Sequence, residues 1–215
     1  VVEGDAIRMA RALGQELGER VRSHSRFGTA KIILEGTAGP DVPPSLDFVT
    51  ARTEFYERPS VLPKVERSSI KQDLYRRDFT MNTLAICLDR GRYGELLDYY
   101  GGERDIQEQR IRVLHNLSFV EDPTRILRAV RFEQRLCFTI EKRTAELIED
   151  ALDLVPNVTG ERLRHELHLL LEEAEPERAL ERLDELGVLA HLHPSLAFTR
   201  STAQLFVRMR QRVAD

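Results

Sequence analysis

The stretch FVEDPTRILRAVRFEQR, residues 119–135, constrains the fold more than any other part of the chain. Pro123 suits the first turn of a helix, and Glu121 and Asp122 sit just ahead of it, where negative charge is favoured. Arginines follow at 125, 128, 131 and 135. At about 100° per residue they cluster on roughly a third of the helix surface. Ile126, Val130 and Cys137 fall on another side, with Leu127 at the border. One face must therefore pack, while the other presents guanidinium groups. Read alone, such a basic face is a solvated surface with an acidic cap. A binding role needs a further signal.

The bulk numbers supply none. The 215 residues suffice for one large domain or two small ones, and 41% hydrophobic with 32% charged residues fits a globular chain. The formal net charge is −4, so any nucleic acid must use a local basic surface. No apolar run reaches membrane-spanning length, and the first residues lack a signal-peptide layout. Cys87 and Cys137 both lie in apolar segments, which predicts buried, reduced thiols and a cytoplasmic protein.

Periodicity predicts a helix over 5–18 with Asp5 as N-cap, preceded by a two-residue stub, Val1-Val2, with nothing to pair with. The stub reads as the end of a strand whose upstream part is missing. Strands are expected at 29–34, after a turn at Gly28, and at 46–52, joined antiparallel through the Gly/Pro-rich loop 36–45. Residues 53–69 read as irregular. A helix is expected to begin near Ser69 or Asp78 and run through TMNTLAICLD, and 92–102 read as a short strand or turn broken at Gly101-Gly102. Beyond Asp105 only helices are expected, near 105–109, 117–136, 141–152, 159–174, 176–186 and 188–191, with strands ending by about residue 100. The shift suggests an α+β head followed by a helical region.

DLYRRDFTMNTLAICLD, residues 73–89, is the second constellation. If Asp78 caps a helix, Arg76 and Arg77 stand beside an N-terminus that already favours anions, a possible triphosphate site, with Asn82 one turn on to bond a ribose hydroxyl. An ordinary capped helix with surface arginines explains the same residues. His165, His168, His191 and His193 lack a completing ligand set and read as structural or surface groups.

Several long stretches share one resemblance. RRDFTMNTLA, GGERDIQEQRIRVL, SFVEDPTRILRAVRF, HSRFGTA and LDFVTARTEFYERPSVLPKVERSSIKQDL resemble segments of the bacterial-type (class II) tRNA nucleotidyltransferases and their poly(A) polymerase relatives, and several long motifs in the right order are together highly specific. The likeness runs from residue 1 to about 195. It implies a DNA polymerase β-like nucleotidyltransferase head with a small, mostly antiparallel sheet over 1–115, and an all-helical neck and start of body over 116–215. It also implies transfer of CMP and/or AMP from CTP or ATP to a tRNA 3′ end, with release of pyrophosphate and with Mg2+ in a two-metal mechanism.

In that family an Asp-x-Asp pair precedes the segment matching VVEGDA and holds the metals. This sequence contains no such pair ahead of it, so the resemblance implies a head that is N-terminally incomplete and inactive alone. Asp47, which alternation points away from Leu46 and Phe48, is the candidate third carboxylate and metal ligand, against a plain surface aspartate. By the same resemblance Asp122 and Arg125 read the incoming base, oriented by Glu121, as a protein mimic of a pairing partner. Arg128 and Arg131 face phosphates or the RNA end. Arg76, Arg77, Asp78 and Asn82 hold triphosphate and ribose, and Arg162 supports the site from a later helix. CCA-, CC- or A-only addition, poly(A) synthesis, a non-catalytic RNA-binding protein and an inert fragment all remain compatible with these motifs.

Overall fold

A computed structural model describes residues 1–35, 42–55 and 64–214. They fall into two compact units, residues 1–55 with 64–76 and residues 77–214, and the architecture is α+β. The loop expected over 36–45 lies largely outside the described residues, as does part of the stretch 53–69.

In the first unit, α1 (Ala6–Leu17) starts where the Asp5 carboxylate accepts the Arg8 N–H at 2.9 Å and stops at Gly18. β1 (Arg20–His24) turns through Ser25–Phe27 and Gly28, at φ 60°, into β2 (Thr29–Ile33). β3 (Ser45–Val49) completes an antiparallel sheet in the order β1-β2-β3. The helix packs on one face of this sheet through Ala10, Ala30 and Ile32, with Ile7, Leu13, Val21, Leu46 and Phe48 around them. β4 (Arg52–Phe55) pairs antiparallel with β5 (Lys64–Arg67), and α2 (Ile70–Tyr75) follows, capped by Ser69.

Two expectations change here, and one strand is added. Val2 has a partner: its N–H bonds the Val49 carbonyl and its carbonyl accepts the Ala51 N–H, both at 2.8 Å, in a parallel bridge to Thr50. β1 is a strand although Val21 is its one apolar residue, because Val21 alone of the five packs into the core beneath the helix. The stretch 53–69 holds paired strands at both ends, not irregular chain throughout.

In the second unit the expected helix over 78–89 does not form. Phe79 is extended and bridges to Val113, and Thr80 donates its N–H to the Arg112 carbonyl. A 3-10 turn over Thr80–Asn82 follows, closed by the Thr83 hydroxyl on the Thr80 carbonyl at 2.6 Å. β6 (Ala85–Ile86) then pairs with β7 (Leu96–Leu97). Phe79, Leu84, Ala85 and Leu88, apolar at helical spacing, do not share one face: Phe79 is fully buried while Leu88 is 74% exposed.

Gly101, at φ 74°, opens α3 (Gly102–Gln107). A short parallel pair, β8 (Arg110–Ile111) with β9 (Thr139–Ile140), places strands beyond residue 100. The expected helix 117–136 is two, α4 (Ser118–Glu121) and α5 (Thr124–Leu136), separated because Asp122 is extended and Pro123 has no N–H to continue the ladder. Cys137 follows α5 in the left-handed region and is exposed, so only Cys87 is a buried thiol.

α6 (Lys142–Ala151), α7 (Gly160–Leu171), α8 (Pro176–Glu185), α9 (Val188–Leu192) and α10 (Arg200–Ala214) complete the chain. Phe79, Ile111, Phe119, Ile126, Leu127, Val130, Ile148 and Leu183 form the core beneath α5. No helix among the described residues is long and apolar enough to cross a membrane.

The Thr80–Asn82 turn is held from below. The Thr80 hydroxyl donates to buried Asp105 at 2.6 Å, and Gly102 lies against the Thr80 carbonyl, where a Cβ would come within 2.4 Å of the oxygen. Gly102→Ala should therefore destabilise the chain by about 1–3 kcal/mol in urea unfolding, since backbone must move. An unchanged midpoint would contradict the close approach.

Candidate nucleotide-binding site

The guanidinium row of α5 is not a solvated face. Arg125 and Arg131 are only 5% and 7% exposed. Arg128 donates Nε to Asp78 at 2.9 Å and Nη2 to the same oxygen, and its Nη1 lies 3.6 Å from Glu166. Arg131 sits between Glu166 at 3.9 Å and Glu173 at 3.8 Å, with its guanidinium 5.2 Å from the Phe132 ring centroid. Arg135, expected to be solvated, has a half-exposed side chain but closes on Glu173 at 2.6 Å. The carboxylates come from α7 and the turn after it, at spacings that match the arginines. Glu166 and Glu173 are seven apart, as are Arg128 and Arg135, so each series lies on one helical side. Glu133, on the same helix, accepts the Ile140 N–H at 3.1 Å and Arg182 Nε at 3.0 Å.

At the head of α5 the break in the chain shapes Asp122. Its Oδ1 accepts the Thr124 N–H at 3.0 Å and the Thr124 hydroxyl at 2.6 Å, and its Oδ2 meets Arg162 Nη2 at 2.7 Å. Arg125 hydrogen-bonds its own N–H to the Asp122 carbonyl at 3.1 Å. Glu121 lies 3.6 Å from His115 Nε2. Burial first, and then the charge of Arg125, holds the His115 imidazole below its usual range, so it is neutral at pH 7. The structure thus gathers Glu121, Asp122, Arg125 and Arg162 in one place, and adds Thr124 and His115. The Thr124 contribution has a sequence signal in D-P-T, a carboxylate two residues ahead of a hydroxyl; His115 has none.

The RRDFTMN segment behaves differently from its sequence reading. Arg77 donates Nη1 to the Asn82 carbonyl at 3.2 Å, and Asn82 Nδ2 donates to Asp78 at 2.9 Å. Asp78 precedes an extended residue and not an α-helix, so no helix N-terminus stands beside the two arginines. In the first unit, Arg76 ends α2. It donates to Asp73 through Nη2 at 2.8 Å and Nε at 3.2 Å, and to Glu54 through Nη1 at 3.1 Å, with Asp73 fully buried. Asp47 points to the open side of the sheet, away from Leu46 and Phe48, and pairs with Lys31 at 3.3 Å with its side chain 65% exposed. Among the described residues no group of three or more His, Cys, Asp or Glu could hold a metal ion. One carboxylate beside an ammonium is not a donor set for divalent ions, so the residues present do not fit a two-metal centre.

Asp78 sets an acid response. Burial works to raise its pKa, but Arg128, Asn82 and the Phe79 N–H outweigh it and hold the carboxyl below the usual range. A depressed folded pKa gives stability that is complete above the unfolded value, about 3.9, and is lost as pH falls through the lower folded one. Asp78→Asn should cost about 2–4 kcal/mol at pH 7 by leaving Arg128 short of charge. The gap to wild type in urea unfolding should then narrow below about pH 4. A gap constant from pH 7 to pH 2 would contradict this pairing.

The poly A polymerase head domain family matches residues 1–112, and the family described as a probable RNA and SrmB-binding site of polymerase A matches residues 137–199. An A-adding tRNA nucleotidyltransferase of Geobacter sulfurreducens is 50% identical over 206 residues, 95% of this chain but 23% of that protein. The solved structure of a CCA-adding enzyme in apo form II superposes with a TM-score of 0.89 at 43% identity, over 99% of this chain and 49% of that one. A tRNA nucleotidyltransferase complexed with a primer tRNA and an incoming ATP analog gives a TM-score of 0.83 at 36% identity, over 97% of this chain and 57% of that one. The chain therefore spans between a quarter and somewhat over half of these relatives. With the head-domain match covering more than half of the residues, and solved relatives superposing over nearly all of the chain, the chain belongs to the tRNA nucleotidyltransferase and poly(A) polymerase family.

Proposed function

We propose that this chain is the nucleotide-selecting part of a template-independent tRNA nucleotidyltransferase, which adds AMP from ATP, or CMP from CTP, to the 3′ end of tRNA and releases pyrophosphate. The observation that carries the reading is the break between α4 and α5. It leaves the Asp122 carboxylate at the head of a buried helix, fixed by Thr124 and Arg162, one turn before Arg125. A carboxylate accepts from an exocyclic amino group and a guanidinium donates to ring or carbonyl acceptors, which is the pattern a base edge requires. Glu121 orients Arg125 beside neutral His115, and Arg77 and Asn82 serve the triphosphate and ribose. Asp78, Arg128 and Arg131 hold carboxylate or amide partners, and shape the site more than they lend it charge, while Arg76, in the first unit, is taken up by Asp73 and Glu54.

Residues 1–115 act in this reading as the head and 116–215 as neck and start of body. Relatives named as A-adding, at 50%, 40% and 38% identity over nearly all of the chain, favour AMP addition over CC addition or poly(A) synthesis. For the complete protein the family resemblance implies Mg2+ in a two-metal mechanism.

The test uses the complete protein that carries this chain. It is given tRNA transcripts lacking the CCA end, ending in C and ending in CC, with CTP and ATP offered separately. AMP addition to the CC-ended tRNA is the expected product; CMP addition alone would overturn the A-adding assignment, and no product on any tRNA would sink the reading. Asp122→Ala and Arg125→Ala should each reduce the preference between nucleotides by about 1–3 kcal/mol, roughly five- to 150-fold, while leaving tRNA affinity unchanged. Loss of tRNA binding with intact nucleotide preference would place both residues elsewhere.

A further inference from the structure

The stretch RVRSHSR, residues 20–26, puts a basic residue at every second position. In β1 this alternation sorts the side chains. Val21 enters the core against α1, and Ser23 accepts Arg11 Nη2 from the same helix at 3.3 Å. Arg20, Arg22 and His24 therefore stand in a row on the open side of the sheet, each about 6.8 Å from the next. Lys31 joins them, because the register sets it directly across from Arg22 while Ala30 and Ile32 beside it face the helix.

Like charges directly opposite each other cost a sheet stability. Lys31 is relieved by Asp47 at 3.3 Å and Arg20 by Glu35 at 3.1 Å, in pairs that stay largely in water. Arg22 has no carboxylate partner among the described residues. Charge also guards an edge strand such as β1 against pairing with another chain. Either sign would do that, and it asks nothing of Lys31 on the middle strand.

The row ends at an aromatic ring. Phe27 is 42% exposed, with the Arg26 guanidinium 5.6 Å from its centroid and the His24 ring 6.1 Å away. Its backbone is held, since Arg52 donates Nη1 to the Phe27 carbonyl at 3.3 Å and Thr50 donates its N–H to the Gly28 carbonyl at 2.9 Å. Evenly spaced cations leading to a ring that is fixed but uncovered suit a linear polyanion with free base faces. A duplex keeps its base faces stacked, so the matching form is a single strand.

We propose that the open face of β1 binds a single-stranded RNA segment, with phosphates on Arg20, Arg22 and Lys31 and one base stacked on Phe27. That the strand is RNA rests on the tRNA reading above. The surface itself uses no residue of the Asp122 site.

The experiment uses the complete protein and an oligouridine of about twelve nucleotides, within the length such surfaces cover. Thiouridine in the oligonucleotide is photo-crosslinked and the attachment points are located by mass spectrometry, while affinity is measured by fluorescence anisotropy across a salt series. Crosslinks should fall within residues 20–31. Arg22→Gln should weaken binding and lower the slope of log affinity against log salt by about 0.7, the value for one phosphate contact on a single strand. Phe27→Ala should weaken binding by roughly five- to 150-fold with the slope unchanged. Crosslinks only outside residues 20–31 would overturn the proposal, as would vesicles of phosphatidylglycerol whose binding depends on Arg22 when RNA binding does not.

Arg22→Glu separates recognition from folding. It keeps a charge on the edge strand and sets a carboxylate across from Lys31, so the urea midpoint should hold or rise while RNA affinity falls below that of Arg22→Gln. A lower midpoint with RNA affinity intact would make Arg22 structural. Nucleotide addition without crosslinks at residues 20–31 would sink this surface and spare the functional reading; crosslinks there without nucleotide addition to any tRNA would do the reverse.

Discussion

The second unit depends on the matching of charge along α5. Arg128, Arg131 and Arg135 share one short helix, and this is tolerable only because carboxylates arrive from elsewhere in the chain to meet them. Desolvating a charge costs several kcal/mol unless it is paired, so these three arginines require their partners as strictly as the apolar face requires its core. The pairing also fixes which side of α5 meets α7. A rotation of one residue, about 100°, would carry Arg128 away from Glu166 and Asp78 together. Ile126, Leu127, Ala129 and Val130 hold the opposite side, so both faces of the helix select the same orientation.

That orientation sets the nearby chemistry. Asp122 lies at the head of the same helix, and its carboxylate is fixed through Thr124 and Arg162, the latter one turn from Glu166 on α7. The two helices that exchange charge in the interior thus also supply both halves of the Asp122 contact. Asn82 is tied to the same system by Asp78, and the turn that carries it is tied to α3 by Thr80 and Asp105. Short breaks and a turn pinned to α3, α5 and α7 bring these side chains together, which suits a site that must distinguish one base edge from another.

Much of this was legible in the sequence. Helical periodicity located α1 and the helices from α6 to α9 to within a few residues, because each has a cap or breaker and a stripe of apolar residues. The stretch 78–89 failed for a physical reason. Phe79, Leu84, Ala85 and Leu88 have helical spacing, but Thr80 and Thr83 give their hydroxyls to local acceptors, and Phe79 pairs with Val113, distant in sequence. β8 and β9 were equally hidden, being two residues each and paired across α5. The arginine row was visible, yet its burial was not. The signal lay in the matching spacing of Glu166 and Glu173 with Arg128, Arg131 and Arg135, which becomes readable only when α7 is known to be the neighbour.

Selective chemical modification of arginine tests the burial of this row most directly. The native chain would be treated with a dicarbonyl such as phenylglyoxal and each arginine followed by mass spectrometry over time. Arg125 and Arg131, at 5% and 7% exposure, should stay unmodified while Arg104 and Arg20, whose side chains are 79% and 60% exposed, react, and urea should abolish the difference. Modification of Arg131 at the rate of Arg104 in the native chain would mean that the row faces water, and the charge-matched interior would be wrong.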